Sequence, residues 1–455
     1  MKEAKIEIDG YSLKKILKGA SAYSIGDILI NASSFFLIPL YTRVLTPSDY
    51  GIVGFLQVFS GILTVVFSFG FSGAQTRYYY EHRYDEESVS RFYFTINITT
   101  VGSFLVLGLP IIIIGSIKGW SIGSENIPFY PYFTITLLSI LPNILFGNAT
   151  SFLKMKQNFI GVTWINIISF LLTTSFNLLL VVYLKKGALG RISGNTLGLL
   201  TIFLPVYFYY VKQFKFKFSK SALKYALGFG FPIVIHLLMG TIHSSIDRIM
   251  LEHHLPISEL GIYSLGITAA GILQLFVTAF NQAYQPSYYQ LMASGIDSVE
   301  KHIITTFKIW LGLLTLVTCF GILIGGPFLT VFAGPKFKEV SLIFPYLLLS
   351  VYANSFYYIF SSAIFYYKKT HWLPFVTGSS AIINITMNFL LIPRYGINGA
   401  SIATIISHVW ISLASYVIGN RLFRVRWPIY YIFGSIVCVF ITFLVVIVNS
   451  SPIMN

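Results

Sequence analysis

The sequence predicts an all-α polytopic membrane protein: two six-helix bundles related as parallel repeats, plus one extra C-terminal helix, about 13 spans in all. Three observations carry this. Hydrophobic residues make up 55% of the 455, only 10% are charged, and the mean hydropathy is +0.74, whereas an ordinary soluble domain carries about 25% charged residues. Apolar segments of roughly 20 residues, enough to cross a bilayer as a helix, recur along the whole chain. Two stretches roughly 210 residues apart also repeat one another: Leu45-Thr46-Pro47-Ser48-Asp49-Tyr50-Gly51-Ile52 is echoed by Leu255-Pro256-Ile257-Ser258-Glu259-Leu260-Gly261-Ile262.

The expected spans run near 19–42, 49–72, 92–115, 129–152, 161–184, 189–211, 224–247, 259–284, 307–332, 340–366, 372–392, 397–419 and 427–449. Helices satisfy their own backbone groups in lipid, so no strands are needed. Residues 1–211 form the first six-helix lobe, 212–223 a basic linker, 224–420 the second lobe, and 421–455 the extra span and tail. Six is even, so both lobes enter the membrane from the same side, and the repeats are parallel rather than inverted. The echo continues: Asn177-Leu178-Leu179-Leu180 leading to Gly187 and Gly190 returns as Asn388-Phe389-Leu390-Leu391 leading to Gly396 and Gly399. Pro39, Pro110, Pro142, Pro205, Pro232 and Pro345 fall inside spans, where membrane helices tolerate them and where some mark kinks.

Charge sets the orientation. The net charge is +15, and most Lys and Arg fall in the loops on the N-terminal side, which places the N-terminus in the cytoplasm. The basic residues are topology signals and lipid-headgroup contacts, not a nucleic-acid surface. Cys319 and Cys438 lie in apolar segments without CxxC spacing and suggest neither a disulfide framework nor a metal site. The charged stretch Met1–Lys18 is no cleavable signal, and the first span is expected to act as the insertion signal.

Polar residues at helical spacing inside lipid face the protein interior or a wet cavity. Ser24, Asp27, Asn31 and Ser34 share one face of the first span, and Asp27 lies about 13–14 Å in from Lys18 at 1.5 Å per residue. Gln57, Gly61, Thr64 and Ser68 line the second, His236, Gly240, His243 and Asp247 the seventh, and Gly271, Gln274, Thr278, Asn281 and Gln285 the eighth. Asp27 and Asp247 are the candidates for ion coupling. Candidate substrate contacts are Gln57, Arg77, His236, His243, Arg248, Asn281, Gln282 and Gln285. Stripes on the fifth span (Asn166, Ser169, Thr173, Asn177) and the eleventh (Thr377, Ser380, Asn384, Asn388) are read instead as helix-to-helix hydrogen bonding. Arg77 ends the second span among tyrosines, either in an interfacial belt or where an anionic headgroup would enter.

No P-loop occurs, so the sequence offers no site for ATP, and no cofactor is called for. The longest outside loop, about 116–129, holds Glu125 as its one acid, too little for a catalytic loop. An enzyme is not expected.

With these residues in view, the chain resembles the polysaccharide-export flippases of the multidrug/oligosaccharidyl-lipid/polysaccharide superfamily. The resemblance spans about residues 15–420. It rests on Phe36 through Gly51, on Gly73 with Arg77-Tyr78-Tyr79, on Gly230-Phe231-Pro232 with His236, on Asp247-Arg248, on Glu259 through Ser264, and on Asn281 with Pro286. It implies a flippase that carries a polyprenyl-diphosphate-linked oligosaccharide across the inner membrane by alternating access of two lobes. Membrane lipids are implied as partners, and polysaccharide polymerase and ligase machinery as neighbours. Related lipid II flippases use two extra C-terminal helices as a groove for the lipid tail, whereas one extra span is evident here. The alternatives are a small-molecule exporter of the same superfamily, a membrane-embedded polymerase, and a scaffold without transport of its own.

Overall fold

The computed structural model describes residues 35–82, 84–125, 127–294 and 298–450. Most of the first expected span, including Asp27 and its polar face, lies outside the described residues. The helices are α1 (Ile38–Val44), α2 (Pro47–Ser68), α3 (Phe71–Glu81), α4 (Glu86–Ile117), α5 (Phe129–Met155), α6 (Phe159–Tyr183) and α7 (Gly187–Val211). They continue as α8 (Lys220–His243), α9 (Ile246–His254), α10 (Ile257–Ala293), α11 (Val299–Ala333), α12 (Val340–Tyr366), α13 (Thr370–Leu422) and α14 (Ile429–Asn449).

Among the described residues eleven helices are long and apolar enough to cross a membrane, with α2 and α3 forming one of them. The expected spans 372–392 and 397–419 appear together as α13, which breaks at Gly396 (φ 57°, ψ −135°). The spans are helical as expected, and the loop between α4 and α5 contains a small antiparallel hairpin, β1 (Ser121–Ile122) with β2 (Ile127–Pro128), in the register Ser121–Pro128 and Ile122–Ile127.

Packing falls into two groups. In the N-terminal lobe α7 lies against α5 and α6, and α2 against α5; in the C-terminal lobe α12 lies against α10, α11 and α13, and α14 against α11. The lobes meet where α2 runs along α10 and where α8 crosses α2, α3 and α4. An aromatic core of Tyr93, Phe152, Tyr210 and Phe214 ties α4, α5 and α7 together.

The sequence echo has a structural cause in each lobe. Asp49 closes a capping box at the start of α2. Its Oδ2 accepts the Thr46 N–H at 2.8 Å, and the Thr46 hydroxyl accepts the Asp49 N–H at 3.2 Å, with Pro47 at the first helical position. The other carboxylate oxygen, Oδ1, accepts the Ala188 N–H at 2.8 Å in the first turn of α7, beside Gly187 (φ 55°). In the C-terminal lobe Glu259 stands where Asp49 does, and its Oε2 lies 3.7 Å from where a Cβ on Gly396 would sit. The two echoed motifs of each half therefore meet in space, an acid against a glycine that begins a helix in a left-handed conformation.

Candidate functional site

The seam between α2 and α10 is built on the same echo. A Cβ on Gly51 would land on the Ile257 carbonyl oxygen, and one on Gly261 would land on the Pro47 carbonyl oxygen. Positions matched by the repeat thus face each other, backbone against backbone. One turn further on, Gly54 packs against the Ser264 hydroxyl.

The hairpin reaches over from the N-terminal lobe and fastens this end. Glu125 Oε1 accepts the Ile257 N–H at 2.7 Å, where α10 begins at Pro256 without a side-chain cap. Ser124 donates its N–H to Glu252 Oε1 at 2.5 Å and its hydroxyl to the Glu252 carbonyl oxygen, and Glu252 is buried.

At the opposite end of α2 and α3, Arg77 is already paired. Its Nε donates to Glu81 at 2.7 Å, and the guanidinium lies over Phe229 of α8, 5.5 Å from the ring centroid. The Tyr225 hydroxyl, also on α8, donates to the other Glu81 oxygen at 2.7 Å. Arg77 therefore belongs to a second crossing between the lobes.

The charged group expected at the end of the seventh span lies on α9. Asp247 is buried and accepts the Tyr263 hydroxyl at 2.5 Å and the Arg248 N–H at 2.8 Å. Arg248 Nε is buried without a hydrogen-bond partner among the described residues. On α8, His236 Nδ1 is in the same condition, as are both ring nitrogens of His243. The His243 ring meets His408 of α13 edge-on, with centroids 5.6 Å apart. His408 Nδ1 lies 2.9 Å from the Ser350 carbonyl oxygen. A carbonyl can only accept, so that nitrogen carries a proton, and in the neutral ring Nε2 then keeps its lone pair.

The remaining candidates do not join this group. Asn281, with a buried unpartnered Oδ1, stands with the exposed Gln282 and half-buried Gln285 far along α10. From Tyr263 to Asn281 that helix rises about 27 Å at 1.5 Å per residue. Gln57 belongs elsewhere again: it lines a cavity of 340 Å³ within the N-terminal lobe, together with Ser60, Ser139, Asn143, Ser169, Thr173 and Asn195.

His408 and Asn143 were missed from the sequence. Each had a signal, since Ser401, Thr404, Ser407, His408 and Ser412 follow helical spacing, as do Thr136, Ser139 and Asn143. The fifth-span stripe was read as helix contact alone, yet Ser169 and Thr173 face the cavity, while Asn177 bonds Asn195. Cys319 and Cys438 are free thiols whose sulfurs sit 3.9 Å apart between α11 and α14.

A second space, of 580 Å³, lies where α14 meets α12 and the second half of α13. Its walls are almost wholly apolar, among them Phe356, Ile405, Trp427, Ile436 and Phe440. This apolar groove differs in kind from the polar cavity of the N-terminal lobe.

Comparison with known proteins fits this architecture. Protein 1 of the Lsg locus of Haemophilus influenzae is 26% identical over 386 residues, covering 82% of this chain and 90% of the relative. An inward-facing multidrug resistance MATE family transporter of the MOP superfamily shares the fold with a TM-score of 0.67 at 15% identity, over 87% of this chain and 98% of that one. The lipid II flippase MurJ in an inward closed conformation does so with a TM-score of 0.65 at 15% identity, over 95% and 99%. Residues 16–292 match the family model described as polysaccharide biosynthesis protein. That stretch takes in all of α1 to α9 and most of α10, and the chain, a multi-pass membrane protein, belongs to the polysaccharide biosynthesis protein family.

Proposed function

We propose that this chain is a flippase that carries a polyprenyl-diphosphate-linked oligosaccharide from the inner to the outer leaflet of the cytoplasmic membrane. The substrate joins a wet glycan, an anionic diphosphate and a long apolar tail. The observation that carries the reading is the apolar groove of 580 Å³ beside α14. A tail needs such a surface, whereas an exporter of small soluble molecules does not. A single extra helix, packed on α11, supplies one wall of it, so the second extra helix of the lipid II flippases is not required for a groove.

Residues 1–211 and 224–420 would act as the two lobes. With the N-terminus cytoplasmic, the Gly51–Gly261 seam lies on the outer side and is closed. Outward opening then parts α2 from α10 and releases the hairpin. The lobes contain groups suited to coupling this motion to an ion gradient: Asp27 from the sequence, and Asp247, buried beside Arg248, from α9. His236, His243 and Arg248 are the candidates to meet the diphosphate, with Asn281, Gln282 and Gln285 nearer the cytoplasmic mouth. The product would pass to polysaccharide polymerase and ligase machinery.

The test is flipping in proteoliposomes. A polyprenyl-diphosphate oligosaccharide with a fluorescent sugar should become accessible to an impermeant quencher only where the protein is present. Export of lipophilic cations with no movement of the lipid would replace this reading with a small-molecule exporter. Collapsing the proton and sodium gradients separately tests the coupling, and unchanged transport under both would remove it.

A further inference from the structure

We propose that the cavity inside the N-terminal lobe is a binding site for an uncharged, polyhydroxylated ligand, namely a neutral sugar of the carried glycan. This rests on the flippase reading above and names the part of the substrate that the lobe takes.

The lining sets the chemistry. Gln57 and Asn143 contribute carboxamides, and Ser60, Ser169 and Thr173 hydroxyls, from α2, α5 and α6. No Lys, Arg, His, Asp or Glu is among the described residues that line it. No charged group among the described residues would offset an ionic ligand there, and burying an uncompensated charge costs far more than burying a neutral polar group. An apolar ligand would strip water from the amides and leave them unpaired, at about 1–3 kcal/mol each. A sugar hydroxyl both donates and accepts, and so do a carboxamide and a side-chain hydroxyl. The volume of 340 Å³ falls within the ordinary range of ligand pockets, about 300–1,000 Å³.

The C-terminal lobe shows that the fold does not need these groups free. Gln157 and Lys368 follow α5 and α12 as matched residues with positive φ, 59° and 57°, and Asn177 matches Asn388. By that register Asn143 corresponds to Asn354, Ser169 to Ser380 and Thr173 to Asn384, while Gln57 and Ser60 correspond to Ile267 and Ala270 through Gly51 and Gly261. In the C-terminal lobe the matched residues of α13 are joined. Ser380 donates to the Ser407 carbonyl oxygen at 2.7 Å, and Asn384 donates to the Ser407 hydroxyl at 3.3 Å. Ile267 and Ala270 carry no polar atoms to satisfy. In the N-terminal lobe Gly198 stands where Ser407 does, and its missing side chain brings it directly onto Thr173. Gln57, Ser60, Asn143, Ser169 and Thr173 make no side-chain hydrogen bond with another described residue.

The experiment uses the full chain in nanodiscs with both native cysteines replaced by alanine. Ser169→Cys is labelled with a small maleimide in the presence of maltotriose as the neutral probe, and separately of a uronic-acid trisaccharide. Maltotriose should slow labelling at least threefold and the anionic sugar should not. Adding Gln57→Leu, or in a second variant Asn143→Leu, should remove that protection without lowering the melting temperature. Equal protection by both sugars, or none by maltotriose, overturns the assignment. In proteoliposomes Gln57→Leu should slow flipping of a lipid bearing a neutral oligosaccharide at least tenfold, and should slow polyprenyl diphosphate without a sugar much less. Protection by maltotriose without flipping of either lipid by the unmodified chain would retain the sugar site and reject the flippase. Flipping without protection would do the reverse.

Discussion

The two lobes share a frame and differ in their filling. Both place an acid against a left-handed glycine, Asp49 beside Gly187 and Glu259 beside Gly396, and both offer a bare glycine backbone to the seam. Inside, matched positions part company. The C-terminal lobe closes Ser380, Asn384 and Ser407 into a buried network, while the N-terminal lobe leaves Ser169 and Thr173 on a cavity. Duplication has held the residues that backbone geometry dictates and released those that merely fill space. What a lobe does is therefore to be sought where the halves disagree.

Three measurements test that contrast. The largest effect is expected at the seam. Gly51→Ala and Gly261→Ala each place a methyl group on a carbonyl oxygen of the other lobe, so each should lower flipping at least tenfold in proteoliposomes while membrane insertion persists. A loss confined to one of the two would show that the seam is not symmetric. Next come the helix starts. Gly187→Ala and Gly396→Ala force alanine into positive φ, at a cost of about 1–3 kcal/mol for a residue held in such a region. Both should lower the unfolding temperature in detergent, and a silent Gly187→Ala would separate the halves at a point where both place a glycine at positive φ. The smallest effect is the most discriminating. Ser380→Ala with Asn384→Ala removes hydrogen bonds worth about 0.6 kcal/mol each within a membrane, whereas Ser169→Ala with Thr173→Ala removes no side-chain bond to another described residue. Thermal denaturation should fall for the first pair only; equal losses would mean that the cavity residues hold the lobe together.

Much of the frame could be read from sequence because the physics there is local. Apolar runs of bilayer length give spans, and an acid three residues after Thr46 gives a capping box. A glycine repeated at Gly187 and Gly396 marks a backbone that other residues strain to adopt. The Arg77–Glu81 pair is one turn apart and was legible on the same grounds. The interior resisted for the opposite reason. A stripe of Ser, Thr and Asn looks the same whether it meets a partner, as at Ser380, or an open space, as at Ser169. His408 was passed over because its neighbour His243 lies on another helix. Arg248 and Asn281 were grouped as substrate contacts, although Arg248 follows Asp247 at the Tyr263 end of α10 and Asn281 lies about 27 Å further along that helix. Distances across helices are set by tertiary packing, and one chain's periodicity does not encode them.

The hairpin around Glu125 adds a releasable fastening to the seam. It caps the first amide of α10 with a carboxylate from the opposite lobe, a bond of the charge-assisted kind worth about 1.5–3 kcal/mol. Once the lobes part, water takes over both ends of that bond. Together with the Ser124–Glu252 bonds it ties the hairpin of one lobe to the helix starts of the other through groups that water can satisfy, so under the proposed alternating access this clasp can open without leaving a polar group stranded.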